Sequence, residues 1–286
     1  MGARSSQADG QRAVDGLLRR LDLEAAGKDR FRGMPGRGDG RVFGGTLLAQ
    51  ALVAAGRTAG DAAPHALHAH FLRPGRHGQV VEWEVERVRD GWQFGTRRVV
   101  GRQAGDVIFI ASVSFVRAHE GLAHEDPMPG APPPEGLPDW EDLRVRILGD
   151  ATARRPDGPL EVRECDPETA APAVGRPARR ALWMRPRGTL PDDPLMHAAV
   201  LVFASDRGLL STAGRPHGLM WGERQGASLD HAVWLHRPAR FDGWVLFTTA
   251  SPVAVAGRGL VLGAMHARSG ARLASIAQEG LIRAAR

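Results

Sequence analysis

Tyrosine is absent from the 286 residues, Lys28 is the only lysine, Cys165 is the only cysteine, and no run of 18 apolar residues occurs. A single cysteine cannot form an intramolecular disulfide, so nothing in the sequence asks for an oxidising compartment. Its neighbours, Glu161 to Asp166, are mostly charged and carry no catalytic cysteine signature, which marks the thiol as incidental. The missing apolar run excludes a membrane-spanning helix. Met1 to Asp9 likewise lacks the apolar core of a secretory signal, so a soluble, cytoplasmic protein is expected. The formal net charge of +6 raises the question of nucleic acid. However, the arginines are scattered among acids, and with lysine scarce and tyrosine absent no basic stretch has interleaved aromatics. That distribution speaks against nucleic acid and is compatible with a small polyphosphate ligand.

What is present is globular: 43% hydrophobic and 24% charged residues over a length that suits two domains. Val14, Leu17, Leu18 and Leu21 fall at helical spacing, predicting an amphipathic helix over 11–26 that stops at Gly27. The Gly-rich stretch 33–45 has neither the spacing of a dinucleotide fingerprint nor a Gly-Lys-Ser/Thr, so it reads as a turn, and Arg37-Gly38-Asp39 carries no signal. From Val42 to Gly56 the chain is almost wholly apolar and uncharged, the pattern of a buried helix. Segments 65–72, 79–89, 92–103 and 106–117 are rich in Val, Ile, Phe and Trp and are divided by Pro74-Gly75, Asp90-Gly91 and Gly105-Asp106. They predict an antiparallel meander wrapped on that helix.

Six prolines between Pro127 and Pro138 then mark a linker. A second series follows: extended stretches near 160–165 and 180–186, an apolar helix over 195–213, and strands near 227–236, 243–251, 258–268 and 271–283. His68 to Pro74 parallels His231 to Pro238 with one extra residue, and Val42-Phe43 parallels Val202-Phe203, so one helix-on-sheet unit reads as duplicated. The expected organisation is an N-terminal domain over 1–120, a Pro-rich linker over 121–158 and a C-terminal domain over 159–286. In that alignment Asp206 stands on an apolar helix where the first half has Thr46. Gln278 interrupts a run of small apolar residues, and Ser228 precedes Leu229-Asp230-His231. From the residues alone, a helix cap or an arginine partner is as open for Asp206 as a chemical role, solvent exposure is the plain explanation of Gln278, and Ser228 fits ordinary strand decoration. His68, His70, His231 and His236 match no zinc spacing and are expected to make structural hydrogen bonds.

Several stretches together resemble the bacterial acyl-CoA thioesterase II family. They are Leu17-Leu18-Arg19-Arg20-Leu21-Asp22-Leu23, Phe31-Arg32-Gly33, Val42-Phe43-Gly44-Gly45, His70-Phe71-Leu72-Arg73-Pro74-Gly75, Ala204-Ser205-Asp206, the stretch from Ser228 to Pro238, and Gln278-Glu279-Gly280-Leu281-Ile282-Arg283. The resemblance implies an α+β double hotdog, two fused domains each with an antiparallel sheet wrapped around a central helix. It implies hydrolysis of acyl-CoA thioesters with Asp206, Ser228 and Gln278 as the catalytic set, acyl-CoA as the polyphosphate-bearing substrate, a homo-oligomer, and no metal or bound cofactor. Ser228 departs from the Thr that the family often carries there, keeping the hydroxyl and losing a methyl group. Oxyanion donors are expected from backbone N–H groups or the Gln amide near a helix start; Gly44 and Gly45 are candidates, with close helix packing as the other explanation of these glycines. Hotdog folds also host hydratases and dehydratases, for which Asp230-His231 is the nearest acid–base pair, and a non-catalytic acyl-CoA-binding protein is a third class.

Overall fold

The computed structural model describes residues 2–38, 40–150, 158–166, 174–219, 224–238 and 240–284. Its centre is a pair of antiparallel helices, α2 (Gly44–Gly56) and α4 (Pro194–Ser205). Neither has a charged residue within it, and both are buried along most of their length because apolar side chains point outwards in every direction. Each fully buried leucine, such as Leu48, Leu52 or Leu201, contributes roughly 1.5–3 kcal/mol by leaving water. Close approach is possible because Gly45 lies against the Phe203 carbonyl and Gly56 against the Leu195 side chain. A Cβ at either position would fall 2.4–2.5 Å from those atoms.

Around this pair runs a continuous antiparallel sheet. The first half contributes β1 (Glu24–Ala25), β2 (Arg30–Gly33), β3 (Ala63–Phe71), β4 (Val81–Asp90), β5 (Phe94–Gln103) and β6 (Asp106–Val116). The second half contributes β7 (Leu160–Glu164), β8 (Arg179–Pro186), β9 (Arg224–Ser228), β10 (Asp230–Leu235), β11 (Val245–Val255), β12 (Arg258–Ala267) and β13 (Arg272–Ala284). The order is β1-β2-β4-β5-β6-β3-β10-β13-β12-β11-β8-β7, with β9 also on β13, so the halves join where β3 pairs with β10. At the N-terminus, α1 (Gly2–Leu21) buries Val14, Leu17 and Leu21 and reaches across to the second half, where Gln11 Oε1 accepts from the Thr189 N–H. No helix among the described residues is long and apolar enough to cross a membrane.

Several expectations need correction. The Pro-rich stretch is not all loop: it carries a helix, α3 (Trp140–Leu148), started by the Asp139 carboxylate on the Glu141 N–H and ended at Gly149 with φ 65°. The helix expected over 195–213 is two helices, α4 and α5 (Leu209–Gly214), broken at Asp206-Arg207-Gly208, where Gly208 has φ 78°. The strand expected over 227–236 is β9 and β10, interrupted at Leu229.

The residue alignment of the halves also shifts. Val42 and Phe43 precede α2, whereas Val202 and Phe203 lie at the end of α4, so they face each other across the helix pair instead of occupying equivalent places. Asp206 is the C-cap of α4, and its counterpart at the end of α2 is Arg57, not Thr46, which lies in the first turn. In the β3–β10 ladder His68 is opposite Ala232 and exposed, while His231 is opposite Ala69 and buried. Side chains alternate along a strand, so the extra residue between the two His motifs sends these histidines to opposite faces.

Candidate active site

The break after α4 is what presents Asp206. The helix stops, the backbone at Asp206 is still near helical (φ −80°, ψ −3°), and its carboxylate points at the start of α2, where the Gly45 N–H donates to Oδ2 at 2.8 Å. Phe43, the N-cap of α2, offers no capping side chain, so a carboxylate from the other helix does the capping. Glycine at 44 and 45 is needed for this approach, since a Cβ on Gly44 would stand 2.8 Å from Asp206 Oδ2. For Gly45 the packing explanation holds, and its N–H is engaged by Asp206.

Gln278 and Ser228 arrive through the interrupted strand. β10 pairs with residues 274–277 of β13 and β9 with residues 280–284, so Gln278 and Glu279 occupy the gap between the two partners. The gap is held by Asp230 Oδ1, which accepts from the Glu279 N–H at 2.6 Å, and by the Leu229 N–H, which donates to the Glu279 carbonyl. Gln278 is buried, its Nε2 donates to Ser228 Oγ at 3.0 Å, and its amide is near enough to Asp206 to stabilise the ionised carboxylate. The three predicted residues therefore meet although 72 positions separate the first from the last.

Burial pushes the Asp206 carboxyl up to about 7, against the opposing pull of the Gly45 N–H and the Gln278 amide. A carboxylate with that value exchanges protons readily near neutrality. The cleft in front of it has a volume of about 500 Å³. Val42, Phe43, Leu47, Phe71, Leu209 and Leu210 give it apolar walls, and the exposed Arg41 and Arg73 stand at its rim. Apolar walls with a few convergent polar groups suit an acyl chain ending in a polar reacting group.

The remaining residues weighed as chemical groups divide clearly. His231 is buried against the site, with Nδ1 2.5 Å from Gln278 Oε1 and Nε2 2.9 Å from Ser205 Oγ. The sequence gives Ser205 no role of its own and does not show the link from His231 to Gln278. His68 packs edge-on against Trp234, and His236 bonds to Ser275, both away from the cleft. Burial and then Asp166 push the Cys165 thiol up to about 11, which disfavours a reactive thiolate. Among the described residues no cluster of three or more His, Cys, Asp or Glu could hold a metal ion.

Comparison with known proteins turns this geometry into a family assignment. The mouse acyl-coenzyme A thioesterase 8 is 36% identical, over 92% of this chain and 87% of its own length. The chain belongs to the acyl-CoA thioesterase family. Family profiles described as acyl-CoA thioesterase and acyl-CoA thioesterase N-terminal domain match residues 161–281 and 34–116. Acyl-CoA thioesterase 2 of Haemophilus influenzae is 32% identical, over 94% of this chain and 98% of its own. The crystal structure of the acyl-CoA thioesterase II TesB2 from Mycobacterium marinum superposes with a TM-score of 0.78 at 36% identity, covering 94% of this chain and 98% of that one. Two helix-on-sheet units joined through β3 and β10 are thus the double hotdog of this thioesterase family.

Proposed function

We propose that this chain hydrolyses acyl-CoA thioesters to a carboxylic acid and CoA, using a water molecule activated by Asp206, Ser228 and Gln278. The observation that carries the residue assignment is the meeting of Asp206, with a carboxyl near 7, and two hydrogen-bonding side chains at one end of an apolar cleft. A thioester carbonyl is electrophilic enough for a positioned water to attack directly. The Asp206 carboxylate takes a proton from that water while Ser228 and Gln278 fix its direction. Negative charge develops on the carbonyl oxygen in front of the N-terminus of α2, whose dipole favours it. Collapse of the tetrahedral species breaks the C–S bond, and the proton held by Asp206 passes to the leaving sulfur, returning the carboxylate. Arg41 and Arg73 at the rim supply positive charge for the phosphates of CoA.

Free thiol release from a panel of acyl-CoA esters tests this reading, comparing wild type with Asp206→Asn and Gln278→Ala. Hydrolysis by wild type, lost in both variants, is expected. A wild-type protein inert on every chain length would overturn it. We further propose self-association of the cytoplasmic chain; light scattering on the eluting peak of a sizing column would contradict this by finding only the 30.7 kDa monomer.

A further inference from the structure

A buried relay runs behind the site. Ser205 Oγ contacts His231 Nε2 at 2.9 Å, His231 Nδ1 contacts Gln278 Oε1 at 2.5 Å, and Gln278 Nε2 donates to Ser228 Oγ at 3.0 Å, while the same amide favours the ionised form of Asp206. Ser205 and His231 are 0% and 1% exposed, so no water competes for these bonds. An amide oxygen only accepts, so with Gln278 in this orientation Nδ1 of His231 carries the proton; the neutral ring then accepts at Nε2 from the Ser205 hydroxyl, whose single proton turns to the ring instead of to the Val202 carbonyl that lies 2.8 Å from the same oxygen. The amide nitrogen of Gln278 is thereby turned away from the ring, towards Ser228 and the Asp206 side of the site. Rotating the amide by 180° would turn Oε1 onto the Asp206 carboxylate and Nε2 onto His231, and would demand the proton on Nε2 of the ring instead. Only one of these two networks leaves the Asp206 carboxylate with a side-chain donor.

We propose that His231 is a positioning residue for the hydrolytic reaction, its Nδ1–H locking the Gln278 amide in the orientation that donates to Asp206 and Ser228. This rests on the hydrolase reading above and adds a part to it. The ring touches neither water nor substrate in this scheme and works through the amide. Burial holds its pKa down to about 4, with Gln278 pulling the other way, so it stays neutral over the working range of pH. Among the described residues no charged side chain acts on either end of the relay: Asp206 feels burial, the Gly45 N–H of α2 and the Gln278 amide of β13, and His231 feels burial and Gln278.

Two measurements test it. In wild-type protein labelled with 15N-histidine, the ring of His231 is expected as the Nδ1–H tautomer, unchanged from pH 5.5 to 9. An Nε2–H tautomer, or titration to imidazolium in that range, would overturn the proposal. This spectrum needs no activity, so it is independent of whether any ester is hydrolysed. In kinetics, asparagine places an N–H where Nδ1 stands, whereas glutamine reaches towards Ser205. His231→Asn is expected to keep kcat within about fivefold, while His231→Gln and His231→Leu lose roughly 10²-fold with KM nearly unchanged, the scale of a misplaced catalytic group. Equal losses in the Asn and Gln variants, or a smaller loss with Gln, would contradict positioning through Nδ1.

Discussion

The two ends of the central helix pair solve the same problem in different ways. At one end, α4 begins with its own cap: the Asp193 carboxylate accepts from the Leu195 and Met196 N–H groups, and Leu195 fills the space over Gly56 at the end of α2. Two residues past the end of α2 the buried Arg97 donates to Thr58 Oγ1 and the Thr58 carbonyl and pairs with Asp90. At the other end α2 has no cap of its own, and Asp206 from α4 does the capping while facing a cleft. A carboxylate that caps its own helix is committed to two N–H groups. One borrowed across a helix interface, held by a single backbone N–H and buried, keeps an oxygen available and has its pKa raised to about 7. Duplication supplied two ends, and only the end with an acid in trans became suitable for proton transfer.

Removing the borrowed carboxylate should have the largest effect. Asp206→Asn is expected to lower kcat by about 10³-fold or more with a small change in KM, measured by thiol release. The same substitution should stabilise the fold at alkaline pH. The folded carboxyl holds its proton more tightly than the unfolded one, so its contribution is fully present below about pH 4 and lost as pH rises through about 7, at about 1.4 kcal/mol for each pH unit between. Thermal melts of wild type and Asp206→Asn should therefore converge towards pH 4, separate as pH rises from about 4 to about 7, and keep that separation above pH 7, with the variant more stable. Melts that keep one separation throughout would contradict a raised pKa.

Gly45→Ala comes next. Its Cβ would meet the Phe203 carbonyl, so a loss of about 1–3 kcal/mol in chemical denaturation is expected, together with reduced kcat as the cap on Asp206 moves. At the opposite end, Asp193→Ala should cost about 1 kcal/mol of stability and leave kcat unchanged, because that cap serves folding alone. A large kcat loss there would erase the distinction between the ends. Among substitutions at the cleft, Ser228→Thr should change kcat least, by no more than a few-fold, since the hydroxyl that receives Gln278 Nε2 is retained.

Much of this was legible in the sequence, and the exceptions share a cause. The apolar helices, the turns between strands and the repeat of one unit came from periodicity, and Asp206, Ser228 and Gln278 stood out by resemblance. The break that makes Asp206 a cap was hidden because Leu209 to Gly214 continues an apolar pattern after a three-residue interruption. The gap in β9–β10 was hidden because Leu229 is as good a strand residue as its neighbours. In both places tertiary hydrogen bonds, from Gly45 and from Asp230, decide against continuity that local propensity allows. The relay through His231 was invisible for a further reason: its parity depends on an inserted residue whose effect only the pairing register reveals.

Direct attack by water is the central claim, and a single turnover in 18O-labelled water, with enzyme in excess over acyl-CoA, tests it most directly. The account predicts one labelled oxygen in the released acid and an unlabelled Asp206 in the digested protein. Label in the Asp206 peptide with unlabelled acid would mean that the carboxylate itself attacks the thioester through an anhydride, and would contradict it.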